Sequence, residues 1–476
     1  MDIALELTGF VNYENHKWPF RFTKDKFTLS IYPDYDSWLK YNDPIFVLDH
    51  FFPNKNYKNP EERKYCDING FCSSNYYVSF HVVDSPNYQN GVVIFPVVWL
   101  YYTKASIEKN NIKTIKITGE TIDDYFSPRS VFKHTIVSGE NNSNKIESIK
   151  VDARSSDIQH CGSFKYLGSE VFIEIQAYAS INSGLSTPLS SQSACYLKVN
   201  NPVGVYEAEA LCLAFLRTLQ VLYYRKNVCL NDFEIFAVND LGTISDSGVI
   251  ALHLKNYPEE TAREKKCGIS NQYIGDKLGN LIQKVISNEV GISFLCDSMK
   301  DTYSYDPARI YMILADFERF FNKKYKETIK DSDSFLATKE NVIEYLNARI
   351  DDTKSNELRN DLTRIKKAIS NIGKGMSYEN KVKMALDDMK PIMAPFISFY
   401  YEGEYSRNIR NLSKRIGTIR NKIAHGSLNV VIKQENLKDI KIVEHLIYGL
   451  LLKSVLLSDV DIKKALKHLF DEEAVA

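Results

Sequence analysis

The residue types and spacing in this chain that best suit a chemical reaction lie at positions 420–426, where the sequence reads R-N-K-I-A-H-G. Arg420 carries a permanent charge and offers a planar fork of N–H donors to phosphate oxygens. His425 belongs to the residue type that serves as base or acid near neutral pH. Asn421 can orient the imidazole or hydrogen-bond a substrate. Together they suit cleavage of RNA without a metal, in which a ribose 2′-hydroxyl loses a proton, the leaving oxygen gains one and a phosphorane is stabilised.

The spacing of arginine and histidine is weak support by itself, because an arginine followed by a histidine after four to six intervening residues occurs twice elsewhere in the chain. Arg129 precedes His134, and Arg154 precedes His160. The first pair follows a proline in a strand-like segment, and the second crosses the polar run S-S-D-I-Q. Neither segment offers a rigid helix, so we interpret both pairs as coincidence.

The segment that ends at His425 is predicted to be an amphipathic helix. With about 100° of rotation per residue, four apolar residues fall on one narrow stripe and predict a face turned to a core. The members of this stripe are Leu412, Ile416, Ile419 and Ile423. Asn421 and His425 are i and i+4 neighbours on the opposite face, and Arg420 lies on its flank. Gly417 is placed on the polar side, where it would let another backbone approach closely, and Gly426 is placed to end the helix.

The same predicted helix concentrates positive charge. Between Ser406 and His425 there are six basic residues and no acidic one, whereas the whole chain has 60 basic and 60 acidic residues. A neutral protein has no global field that recruits nucleic acid, so an RNA site must come from a local patch of this kind. The expected RNA-binding residues are Arg407, Arg410, Lys414 and Lys422.

One histidine cannot easily hold both proton-transfer roles at once. Two copies of the motif that meet across a two-fold axis can share them. The sequence therefore leads to the hypothesis of a homodimer, or a higher homo-oligomer, with a composite active site.

The composition is that of an ordinary globular protein. Hydrophobic residues make up 44% and charged residues 25% of 476 residues, enough for two or three domains. The eight cysteines contain no C-x-x-C pair, so we expect a reduced cytoplasmic protein with neither a disulfide framework nor a zinc site. No secretory signal or membrane span is predicted. We also expect no cofactor, because phosphate-loop, G-x-S-x-G and H-E-x-x-H signatures are absent.

The hydrophobic pattern predicts an α+β protein, with a β-rich N-terminal region followed by an all-α C-terminal bundle. We divide it into a β-rich domain at 1–200, a mixed α/β region at 201–300 that completes the N-terminal unit, and a helical bundle at 301–476. In the last part, Asp306 followed by proline is a good helix start. A second helical stripe comprises Leu358, Leu362, Ile365 and Ile369.

The motif R-N-K-I-A-H-G within a C-terminal helical bundle resembles the signature of the HEPN superfamily of ribonucleases. That signature is an arginine, a polar residue that is often asparagine, three to five further residues and a histidine. Arg420, Asn421 and His425 match it position by position, and the bundle at 301–476 corresponds to the domain. The resemblance implies metal-independent endoribonuclease activity by a dimer, with Arg420, Asn421 and His425 as catalytic residues and a 2′,3′-cyclic phosphate as product.

The order of a long β-rich region before such a bundle resembles the ApeA family of prokaryotic anti-phage abortive-infection proteins. The stretch F-L-R-T-L-Q-V-L-Y-Y-R-K-N-V-C-L-N-D-F-E-I resembles the end of that family's N-terminal region. This resemblance implies that the N-terminal region is a sensor of a phage-derived trigger, and that tRNA or another host RNA is the target.

The competing interpretation is a non-catalytic HEPN-like bundle that serves dimerisation or RNA binding. A histidine at a helix end also interacts favourably with the last carbonyls and the helix dipole, so His425 alone does not distinguish the two.

Overall fold

The computed structural model describes residues 5–34, 64–89, 91–104, 111–138, 144–151, 158–181, 189–239, 242–254, 260–261, 264, 267–326, 333–371, 376–425 and 432–472. The chain forms two compact units. One comprises Met1–Asn288 with Leu295–Met299, and the other comprises Glu289–Phe294 with Lys300–Ala476. The predicted fold class is confirmed, since the first unit is β-rich and the region after it is helical.

Within the described residues, thirteen strands of the N-terminal unit form one antiparallel sheet, and two further strands form a separate hairpin. The strands of the large sheet are β1 Glu6–Tyr13, β2 His16–Thr23, β3 Thr28–Ile31, β4 Tyr65–Cys72, β5 Tyr77–Val83, β6 Asn87–Gln89, β7 Val92–Thr103, β8 Ile112–Ile117, β11 Gln159–Tyr166, β12 Ser169–Ile181, β13 Leu189–Val203, β14 Phe233–Val238 and β15 Ile244–Leu252. The hairpin consists of β9 Phe132–Ser138 and β10 Asn144–Val151.

The long strand β7 joins two parts of this sheet. It pairs with β3 and β5, which closes a six-stranded ring through β2, β1 and β4, and it also pairs with β15. The ring is filled by alternating apolar side chains such as Phe22, Leu29, Phe80 and Phe95. The alternation predicted for Val171, Ile173, Ile175 and Ala177 is confirmed, because all four are buried.

Within the described part of the N-terminal unit there are four α-helices: α1 Glu120–Tyr125, α2 Val205–Leu222, α3 Asn271–Ile274 and α4 Leu278–Ile286. Helix α4 lies directly on strand β11. Gly279 makes this possible, since a Cβ at that position would lie 2.3 Å from the carbonyl oxygen of Ser163.

The helical unit contains α5 Pro307–Lys324, α6 Asp333–Asp352, α7 Asn356–Asn371, α8 Tyr378–Asp388, α9 Lys390–Tyr400, α10 Tyr405–Ala424, α11 Gln434–Ser454 and α12 Asp459–Leu469. Helix α5 begins as predicted, since the Asp306 side chain accepts a hydrogen bond from the backbone N–H of Arg309 and Pro307 follows it. Among the residues that the structure describes, no helix is long and apolar enough to cross a membrane.

Helix α11 forms the centre of the helical unit, and every residue from Asp439 to Leu452 is buried. Its fully buried charged side chains have partners on other elements. Glu444 binds Arg309 at 3.0 Å and accepts a hydrogen bond from Tyr305. His445 donates to the carbonyl oxygen of Lys441 and faces Glu472 at 2.9 Å. A buried charge without such a partner would destabilise the fold by several kcal/mol. These contacts therefore fix the position of α11 among its neighbours.

The hairpin of α6 and α7 differs from the rest of the helical unit. The stripe predicted on α7 does lie on a helix, but Leu358 and Ile365 are 52% and 48% exposed and Leu362 and Ile369 are only half-buried. Helical periodicity identified the apolar face correctly, although the described residues contain no core that covers it.

Candidate active site

Helix α10 presents one face to the bundle and the opposite face to solvent. Its buried residues are Ile409, Leu412, Ser413, Ile416, Gly417 and Ile419. The predicted apolar stripe is therefore buried up to Ile419, and Ile423 is half-buried in the last turn. The helix ends at Ala424, with His425 as its C-terminal cap residue. Gly426, which was predicted to end it, lies outside the described residues.

A buried ion pair anchors α10 to the central helix α11. The guanidinium of Arg415 donates two hydrogen bonds of 2.7 Å to the two oxygens of Asp439, which is fully buried. Tyr401 donates a third bond to the same carboxylate at 2.6 Å. The Asp439 hydrogen bond raises the pKa of Arg415 above its ordinary value. This two-point contact fixes both the position and the rotation of α10.

Asn421 and His425 lie on the exposed face of α10, as the sequence predicts. The backbone N–H of His425 donates to the carbonyl oxygen of Asn421 at 3.0 Å, which continues the helical pattern to the cap. Within the part of the chain that the structure describes, the imidazole of His425 has no hydrogen-bond partner. Both ring nitrogens are thus available to exchange protons with a ligand on this face.

Arg420 is held on the flank of α10 by a carboxylate of another helix. Its Nη2 lies 3.2 Å from Oε2 of Glu318 on α5, and its guanidinium lies 5.8 Å from the ring centre of Tyr378 on α8. The other oxygen of Glu318 binds Nζ of Lys381 at 2.6 Å. Burial alone would raise the pKa of Glu318, but its bonds to Lys381 and then to Arg420 hold this pKa below its ordinary value. Glu318 therefore stays ionised between two cations.

The structure brings Arg420 and Asn421 together but keeps the guanidinium apart from His425. Nη1 of Arg420 lies 3.5 Å from Oδ1 of Asn421, at the limit of a hydrogen bond. Arg420 and His425 are five residues apart, which separates them by about 140° around the helix axis. Because Arg420 is 35% exposed, part of its donor fork still faces solvent.

The basic residues of α10 fall into two groups. Arg415 and Arg420 bind carboxylates inside the unit. The four that were predicted to bind RNA, which are Arg407, Arg410, Lys414 and Lys422, are all exposed. The number of cations available to a phosphate backbone is thus smaller than the sequence suggests.

Gly417 corrects one detail of the sequence interpretation. It is buried rather than on the polar face, because it packs against the start of α8. A Cβ at this position would lie 3.4 Å from Cβ of Glu379 and 3.5 Å from its backbone nitrogen. These are ordinary van der Waals distances, so the structure does not bear out the predicted need for glycine, although the packing of α8 here places Tyr378, the neighbour of Glu379, beneath Arg420.

Sequence reasoning missed the residues that hold Arg420. Glu318, Lys381 and Tyr378 come from α5 and α8, far from Arg420 in the chain, and no motif joins them. One signal was present, since a helix with six cations and no acid needs carboxylates from other helices wherever its cations are partly buried.

The other two arginine and histidine pairs do not form a comparable site. Arg129 lies in a short 3-10 helix that leads into β9, the strand that contains His134, and His160 lies in β11. Arg154 lies outside the described residues. Among the described side chains, no group of three or more His, Cys, Asp or Glu is arranged to hold a metal ion.

Comparison with known proteins adds no assignment: no family model, no curated protein and no solved structure matches this chain.

Proposed function

We propose that this protein is a metal-independent endoribonuclease of the HEPN type. The observation that carries the proposal is the arrangement of α10, whose exposed face carries Asn421, His425 and four cations that have no ion-pair partner among the described residues, while Arg420 is held at its edge. A helix that served only to pack against the core would not need these exposed polar and charged groups.

Each residue has a role in the proposed reaction. His425 exchanges the proton of the ribose 2′-hydroxyl or of the leaving 5′-oxygen. Attack of the 2′-oxygen on phosphorus breaks the bond to the 5′-oxygen and leaves a 2′,3′-cyclic phosphate. Arg420 stabilises the additional negative charge on the phosphorane through its exposed donors, and Asn421 hydrogen-bonds the substrate.

Two copies complete the proposed site. Each protomer supplies one histidine to the motif, so the base and the acid come from the two His425 side chains of a dimer. This arrangement also supplies two Arg420 side chains for one phosphate.

By resemblance, we further propose that the enzyme acts in anti-phage abortive infection on host RNA, with tRNA as a target class, and that the N-terminal unit senses a phage-derived trigger. The described residues of that unit line a cavity of about 660 Å³, which includes Tyr178, Gln192 and Tyr196. A cavity of this size suits a small ligand.

The test is incubation of the purified full-length protein with total RNA in the presence of EDTA, with and without an extract of phage-infected cells. We expect cleavage that persists in EDTA and produces 2′,3′-cyclic phosphate ends. Absence of cleavage under every condition, together with retained RNA binding, would instead favour the non-catalytic binding module.

RNA binding by the exposed cations leads to a prediction on salt dependence. Each phosphate contact to a single strand adds about 0.7 to the slope of log affinity against log salt. Replacing Arg407, Arg410 and Lys414 by alanine should weaken RNA binding and lower this slope by about 2. Fluorescence anisotropy at several salt concentrations measures it.

The control for this variant removes the same charge from helix α12. Alanine at Lys463, Lys464 and Lys467 changes the net charge equally but leaves α10 intact. If the slope of log affinity against log salt fell equally in the two triple variants, RNA binding would depend on net charge and not on the exposed face of α10.

The contact of Glu318 with Arg420 leads to a prediction on catalysis. Glu318→Gln removes the charge that holds the guanidinium and should lower the cleavage rate by roughly 10-fold to 100-fold. If Glu318 acts by positioning Arg420, the same change should have no further effect in an Arg420→Ala background. Single-turnover kinetics of the two single variants and the double variant measures this coupling.

Asp388 supplies the matched control, because it forms a similar ion pair with Lys324 elsewhere on helix α8. Asp388→Asn should leave the cleavage rate unchanged. Additive effects of the Glu318 and Arg420 substitutions would contradict the positioning role.

A further inference from the structure

The hairpin of α6 and α7 exposes large apolar side chains that the other helices would bury. Among the described residues of the hairpin, Leu346 on α6 is buried, and no side chain of α7 is buried. Six large apolar side chains of the described hairpin are exposed, and one of them, Leu336, lies on the other side of α6; the remaining five, which we call the hairpin stripe, are Phe335, Val342, Tyr345, Leu358 and Ile365.

The hairpin stripe lies on one face. In α6, Ile343, Leu346 and Ile350 are at least half-buried and lie toward α7. Helical rotation of about 100° per residue displaces Val342 and Tyr345 from that packed row in one direction.

In α7, the half-buried residues Leu362, Lys366 and Ile369 form the corresponding row. Leu358 and Ile365 are displaced from it in the matching rotational direction. Because the two helices run antiparallel, the displacements on α6 and α7 bring the stripe residues to the same side of the hairpin.

This pair of helices is too thinly packed to be stable through its own contacts. The helices have 20 and 16 residues, and in proteins most of the stability of such helices comes from tertiary packing of an apolar face. The stripe runs along α6, which is about 30 Å long, so a partner of similar length would cover it.

We propose that a second copy of this chain covers the hairpin stripe, so that the two hairpins pair as an antiparallel four-helix bundle about a two-fold axis. Identical apolar stripes are self-complementary under such an axis. Exposed charges of both signs flank the stripe, among them Arg349 on α6 and Asp361 on α7. A two-fold rotation sets Arg349 against the partner subunit's Asp361.

This interface agrees with the composite site of the proposed function, on which its catalytic consequence rests. Helix α7 ends at Asn371, seven residues before Tyr378, which lies beneath Arg420. Seven extended residues span at most about 25 Å. Pairing through the hairpins therefore joins two copies of the helical unit that carries α10.

The test measures the mass of the full-length protein by sedimentation at several concentrations. The wild type should be a dimer at micromolar concentration, and Tyr345→Asp combined with Ile365→Asp should raise the dimer Kd by about 100-fold or more. Phe399→Asp is the control, because Phe399 is a half-exposed apolar residue of α9 outside the hairpin. It should leave the dimer intact.

Charge reversal separates loss of pairing from loss of folding. Arg349→Asp and Asp361→Arg should each weaken the dimer, and the two together should restore it. A monomeric wild type, or a dimer that persists in the Tyr345 and Ile365 variant, overturns the interface.

Cleavage assays on the same samples distinguish this inference from the proposed function. A wild-type dimer that depends on the hairpin but never cleaves RNA supports the interface and contradicts the nuclease. Cleavage by a dimer that ignores the hairpin substitutions supports the nuclease and contradicts the interface.

Discussion

Replacing His425 by alanine is expected to lower RNA cleavage by about 10²-fold to 10⁴-fold, the usual contribution of a general acid or base. RNA binding should change little, because the exposed cations of α10 remain. Cleavage of a labelled RNA under single-turnover conditions measures the loss. His160→Ala is a matched control, since it removes the histidine of another arginine and histidine pair that lies on a strand. Equal cleavage by both variants would eliminate the proposed site.

Mixing inactive variants tests whether the site is shared between copies. In a dimer of one Arg420→Ala chain and one His425→Ala chain, the composite site keeps one arginine and one histidine on different chains. We expect such mixtures to recover part of the lost activity. A site confined to one protomer would give none, because each chain lacks one of the two groups.

The second large effect is expected on stability. Asp439→Ala removes the carboxylate that accepts two hydrogen bonds from Arg415, and because the Arg415 side chain is 30% exposed and can be solvated, the loss should cost about 1.5 to 3 kcal/mol. The substitution should therefore destabilise the helical unit and loosen α10. Asp459→Ala serves as control, because the pair of Asp459 and Lys453 is exposed and worth about 1 kcal/mol or less.

The measurement must report on the helical unit itself. All three tryptophans, at positions 18, 38 and 99, belong to the N-terminal unit, so their fluorescence does not report on α10. Hydrogen exchange of the α10 and α11 amides, with circular dichroism at 222 nm, follows the relevant unfolding. Similar exchange in the two variants would show that Asp439 does not anchor α10.

The sequence predicted secondary-structure elements more successfully than it predicted the contacts between them. Helix α10 was found with nearly correct ends, because a stripe with helical periodicity marks a buried face whatever covers it. Helix α9 contains Pro391 and Pro395, and proline usually breaks a helix, but the first of them stands at the helix start, where it is tolerated. Periodicity also identified α7 but could not show that its stripe faces solvent.

The candidate site shows the same division. The exposure of Asn421 and His425 follows from their position opposite the buried stripe, so it could be predicted from α10 alone. The sequence could not show that Lys414 is exposed while its neighbour Arg415 forms an ion pair, because only the fold brings Asp439 beside Arg415. The carboxylate of Glu318 was hidden for the same reason, since it reaches Arg420 from 102 residues away.

The buried carboxylates of α11 bear on how the proposed nuclease could be switched. Sliding α11 by one helical turn would separate Asp439 from Arg415 and Glu444 from Arg309, and each unpaired buried carboxylate would cost several kcal/mol. Helix α10 is tied to α11 through Arg415 and shares this rigidity. We therefore expect control by proximity: a trigger would bring two preformed half-sites together or keep them apart, and would leave the shape of each half-site unchanged.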